Sequence, residues 1–104
     1  MSRAIGATDK ARFFRALAHH IHRKQPAEEA LAECIEAESR GGRHRQWKPA
    51  SAALEADGFM AALRATGLLG DEAASILTVV VAQGDHRLLS ATLASLAEFA
   101  ETEE

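Results

Sequence analysis

Glycine breaks cut the second half of this chain into helix-length apolar segments, and that punctuation constrains the fold more than any other feature. Gly58-Phe59-Met60-Ala61-Ala62-Leu63 opens one segment. Gly84-Asp85-His86-Arg87-Leu88-Leu89 opens another, which continues through Leu93 to Leu96-Ala97-Glu98-Phe99-Ala100-Glu101. These read as amphipathic helices separated by residues that remove the backbone's helical bias. The segments bring together no residue set suited to a reaction, so they point to a surface for partners rather than to an active site.

The same reading extends over the whole chain. A first helix is expected at residues 8–23, with Thr8 as N-cap, Asp9 in the first turn and an inward stripe of Phe14, Leu17, Ala18 and Ile21. Pro26 fits the first turn of a second helix, which buries Ala27, Ala30, Leu31, Cys34 and Ile35 and stops near Gly41-Gly42. The short connection between the two makes them antiparallel neighbours. A third helix is expected from Pro49 to Asp57-Gly58 with Leu54 inward, and a fourth at residues 59–66, closed by Gly67. The fifth starts near Asp71, carries Ile76, Leu77, Val80 and Val81 inward, and ends at Gly84. The sixth covers residues 86–101 with Leu89, Leu93, Leu96 and Ala100 inward, leaving a frayed acidic tail. Val79-Val80-Val81 suits a strand, but a lone strand has nothing to pair with. The expected fold is therefore all-α, a six-helix antiparallel bundle forming a single domain over residues 1–104, ordered from about 8 to 101.

Composition narrows the setting. At 104 residues, one domain buries roughly two-thirds of the surface its unfolded chain exposes. The longest apolar run, residues 76–82, falls well short of the roughly 18 residues a membrane span needs. The start lacks a signal-peptide apolar region. A single cysteine, Cys34, allows no internal disulfide and fits a reducing compartment, so the expected location is cytoplasmic. The net charge of −3 hides an asymmetry. Residues 1–49 hold ten Lys/Arg against six Asp/Glu, a balance of +4, whereas residues 50–104 hold two against nine, a balance of −7. Such a split favours oriented contacts.

Four constellations stand out. Arg12, Arg15, His19, His22 and Arg23 share one face of the first helix, a docking stripe for an acidic partner set against an ordinary solvated face. Glu28, Glu29, Glu33 and Glu36 point outward from the second helix, with Glu38 near its end. A hard cation suits clustered carboxylates, but a solvated acidic face is the better reading. His19 and His22, with His44 or Cys34, fall short of a metal-ligand pattern. Residues 40–48, Arg40-Gly41-Gly42-Arg43-His44-Arg45-Gln46-Trp47-Lys48, combine basic groups with one stackable aromatic and give a nucleic-acid alternative, which the overall acidity weakens. Cys34 lies on a buried stripe, as an inert hydrophobe. No catalytic residue, metal site or cofactor is expected.

One family resemblance goes further. Phe13-Phe14-Arg15-Ala16-Leu17-Ala18 followed by Pro26-Ala27-Glu28-Glu29-Ala30-Leu31 resembles the opening helix pair of type II secretion system F domains. These are cytoplasmic domains of the inner-membrane platform protein of type II secretion and type IV pilus assembly. Their pattern is an F-x-R-x-L-A helix, an A-G-x-P turn and an E-A-L helix. Gly58-Phe59-Met60-Ala61-Ala62-Leu63 resembles the family's G-x-S-L-x-E-A-L, and Gly84-Asp85 with Leu89, Leu93, Leu96-Ala97, Phe99 and Glu101 resembles its last helix. The likeness spans roughly residues 8–101. Lys24-Gln25-Pro26 replaces the A-G-x-P turn, Asp85-His86-Arg87-Leu88 replaces E-x-S-G, and Met60 and an alanine stand for the Ser and Glu of the middle element.

The resemblance implies a non-enzymatic scaffold or adaptor for protein transport. Its partners would be a secretion-type ATPase and neighbouring inner-membrane platform components, at the cytoplasmic face of that membrane. Platform proteins also carry membrane helices, so this chain would be an excised domain or a soluble stand-alone copy. The contacts are expected on Arg12, Arg15, His19, His22, Arg23, Glu29, Glu33 and Glu36. Opposite charge on the neighbouring helices also permits a homodimer. Reversing Arg12 and Arg15 to Glu is expected to weaken partner binding with little change in melting temperature.

Overall fold

The computed structural model describes residues 7–40 and 44–102, and within them every regular element is a helix. In chain order these are α1 (Ala7–His22), α2 (Ala27–Glu38), α3 (His44–Asp57), α4 (Phe59–Ala65), α5 (Asp71–Gln83) and α6 (His86–Thr102). The protein is an all-α, six-helix bundle, as the periodicity predicts. Gly41-Gly42, the expected stop of the second helix, lies outside the described residues.

The most extensive helix pairing joins α1 to α6, and α1 also lies against α2. This central position explains why α1 buries a wide arc, Ala11, Phe13, Phe14, Leu17, Ala18 and Ile21, rather than a single stripe. The end of α1 (Ile21) and the start of α6 (His86, Leu89) line one cleft, so the two helices run in opposite directions. Small buried residues on both, Ala11 and Ala18 on α1 and Ala97 and Ala100 on α6, let the backbones approach closely. The α1–α2 pair is antiparallel as expected: Arg12 reaches Glu38 near the end of α2, while His20 faces Glu33 further back.

Local chemistry sets most of the boundaries. Asp85 caps α6, its Oδ1 accepting the backbone N–H groups of Arg87 at 3.0 Å and Leu88 at 3.2 Å. Gly84 closes α5 in the left-handed region (φ 71°), where a side chain would be strained. Gly58, at φ 100°, turns α3 into α4 and passes close to α2, since a Cβ there would lie 3.5 Å from Glu28 Oε2.

Three expectations are corrected. Thr8 is not an N-cap, because Ala7 is already helical. The third helix begins at His44, not Pro49, so Pro49 sits inside it. The reason is Trp47: it is 1 % exposed, with its ring centroid 4.7 Å from that of Phe13. Burying an indole offsets the backbone bond that proline removes. Ile76 does not point inward; it is 52 % exposed, while Ala74, Leu77 and Val80 face the core.

Candidate functional site

The charged faces of α1 and α2 meet along their shared edge. Arg12 Nη2 donates to Glu38 Oε1 at 2.8 Å and Oε2 at 3.0 Å, Nε donates to Oε2 at 3.2 Å, and Nη1 donates to Asp9 Oδ1 at 2.8 Å. The hydrogen bonds to Glu38, helped by its charge and by Asp9, raise the pKa of the guanidinium further above its ordinary value. A two-pronged pair of this kind holds both groups in one geometry. At the other end, Gln25 Nε2 donates to Glu33 Oε2 at 3.0 Å, and His20 Nδ1 lies 3.9 Å from Glu33 Oε1. Between these contacts a shallow cleft is floored by Phe13, Ala16, Cys34 and Ala37.

All of the expected docking residues lie exposed at the surface, and several of them also make contacts within the chain. Arg12, Glu33 and Glu36 make contacts within the chain, Glu36 through an ion pair with Arg40 at 3.3 Å. Arg15, His19, His22 and Arg23 are exposed along α1, and Glu29 is exposed on α2. Because Arg12 is tied to Glu38 and Asp9, reversing its charge would set carboxylates against one another. The expectation that reversing Arg12 and Arg15 to Glu leaves the melting temperature nearly unchanged is therefore revised: the loss of Arg12 removes an interaction worth about 0.5–1 kcal/mol and adds repulsion. His20 and Glu38 were not expected at this edge. Once the helices are antiparallel, their register brings both there, and only the pairing could have revealed it.

The remaining constellations lose the parts that made them chemical. Cys34 is 5 % exposed. Burial first, and then the nearby charges of Glu33 and Glu38, push its thiol pKa up to about 12, which leaves it a poor nucleophile near neutral pH. His19 and His22 are exposed on α1 while Cys34 is buried on α2, and the side chain of His44 lies outside the described set. Among the described residues no group of three or more His, Cys, Asp or Glu is placed to hold a metal ion. In the basic segment, residues 41–43 lie outside the described residues and Arg40 is paired with Glu36. Arg45 and Lys48 are exposed, but Trp47 is buried on Phe13 and cannot stack on a base. Among the described residues no helix is long and apolar enough to cross a membrane. No protein-family model, curated protein or solved structure matches the chain.

Proposed function

We propose that this chain is a non-enzymatic adaptor domain that works at the cytoplasmic face of a membrane and resembles the F-type platform domain of type II secretion or pilus assembly. Its partners are a secretion-type ATPase and the cytoplasmic parts of neighbouring inner-membrane components. The observation that carries the reading is the one-sided stripe of Arg15, His19, His22 and Arg23, exposed on a helix whose other faces are occupied by α2 and α6. A second observation supports the resemblance. Lys24 stands where the family's A-G-x-P turn has glycine, and it adopts φ 72°, the conformation glycine favours. The stripe docks an acidic surface, and α2, clasped to α1 at Arg12, holds the stripe rigid while the partner moves. The nucleic-acid alternative is disfavoured, since its one aromatic is in the core.

Capture of partners on the tagged chain from nuclease-treated native lysate tests the reading. Recovery of a secretion-type ATPase or its membrane neighbours, lost on the double substitution Arg15→Glu/Arg23→Glu, is the expected outcome. Recovery unaffected by the double substitution removes the α1 stripe. Affinity for nucleic acid that falls steeply with salt would replace the adaptor reading.

A further inference from the structure

α5 is apolar on two sides. Ala74, Leu77 and Val80 face the core, yet Ile76 is 52 % and Val79 59 % exposed on the outer side. A helix apolar all round is normally covered, and inside the molecule α5 packs mainly on α6 and α4. The outer face has a definite pattern. Glu72, Ile76, Val79 and Gln83, all exposed, recur at spacings of four, three and four. That spacing is the seam of a two-helix packing, with β-branched residues at its centre and a polar residue at each end. Ser75 and Ala82, also exposed, are small enough to let a second backbone come close.

From this pattern we infer that α5 is a self-association face that pairs with α5 of a second copy, the two helices antiparallel about a twofold axis. The order of the seam selects both partner and direction. In the antiparallel pair Ile76 meets the second copy's Val79 and Val79 meets its Ile76, so the apolar centre is self-complementary. Glu72 then lies opposite the second copy's Gln83, whose amide donates to the carboxylate, and the contact occurs twice by symmetry. A parallel pair would instead set Glu72 against Glu72. The face lies apart from the α1 stripe and does not depend on the adaptor reading. A seam of this length is smaller than the roughly 800 Å2 per partner of a standard interface. The dimer therefore forms at high protein concentration, or where copies are held close together.

Sedimentation equilibrium of the full chain over a wide concentration range tests the pairing, with circular dichroism checking that each variant folds. Concentration-dependent dimerisation is expected. Val79→Asp should abolish it, and Gln83→Lys, which converts both end contacts into ion pairs, should tighten it by about fivefold. Gln83→Glu should weaken it, and Glu72→Lys combined with Gln83→Glu should restore it. The three substituted positions, Glu72, Val79 and Gln83, are exposed, so folding is retained. A chain monomeric at every concentration overturns the inference, as does a dimer indifferent to Val79→Asp. Failure of the charge exchange to restore pairing overturns the antiparallel register.

Discussion

At the scale of single residues, Cys34 shows how position changes chemistry. Its thiol sits among apolar neighbours on the inner stripe of α2, with Glu33 and Glu38 nearby, and the thiolate is disfavoured there on both counts. The folded-state pKa of about 12 lies above the ordinary value of 9.0, so the folded protein holds the proton more tightly than the unfolded chain. The stabilising contribution is complete below about pH 9 and is lost as pH rises toward 12. The chain has no Tyr, so no phenol ionises in this window. Denaturant unfolding at pH 8 and pH 10.5 should show a larger loss of stability for the parent than for Cys34→Ala. Iodoacetamide should label the native thiol at pH 8 only as fast as the chain opens. An equal pH dependence in both proteins would count against the shift. That Cys34 is buried was legible in the apolar spacing of its helix. The contribution of Glu38 was not, since it depends on where α1 and Arg12 hold that side chain.

At the scale of elements, the boundaries follow local rules except where packing overrides them. The turn after α1 closes with Gln25 N–H donating to His20 O at 3.2 Å and Lys24 N–H to Ile21 O at 2.9 Å, the bond pair of a left-handed helix end. Lys24 occupies the left-handed position at a cost of roughly 1–2 kcal/mol. Lys24→Gly relieves that cost and loses about 0.5–1 kcal/mol to the greater freedom of the unfolded chain. The net gain should raise Tm by roughly 2–8 °C, as read by thermal unfolding. A fall in Tm would mean that the lysine stem packs usefully beside Pro26. By contrast, the start of α3 was not legible. Pro49 is a strong local signal for a helix start, and it lost to a tryptophan two residues earlier whose burial extends the helix toward the N-terminus.

At the scale of the whole molecule, the contact between Phe13 and Trp47 joins the first helix to the third. The indole is fully enclosed, and its Nε1–H has no hydrogen-bond partner among the described residues. An unpaired buried donor costs about 1–3 kcal/mol, so this position gives up part of what the ring's burial contributes. Trp47→Ala should therefore destabilise by about 3–5 kcal/mol. Trp47→Phe loses ring volume but also removes the unpaired donor, and should stay within about 1 kcal/mol of the parent. Urea unfolding of the two variants separates the outcomes. A large loss in Trp47→Phe would show that the donor is satisfied after all. The basic segment in which Trp47 stands reads locally as a polar loop, and the tertiary contact makes its aromatic part of the core.

The sequence by itself determined the helices, because the 3.6-residue spacing of apolar side chains and the glycine breaks are local properties of the chain. It also determined the inner stripes of α1, α2 and α6, where one face is plainly more apolar than the other. Only the tertiary structure decided the rotation of α5. That helix is apolar around most of its circumference, so hydrophobicity alone could not choose between Ile76 and Ala74 for the inside. The tertiary structure also decided which charges pair, since Arg12 meets Glu38 only after two helices distant in sequence settle into register. The side exposed by α5 and the charges left outward on α1 are both products of packing, and the two proposed contact surfaces rest on them.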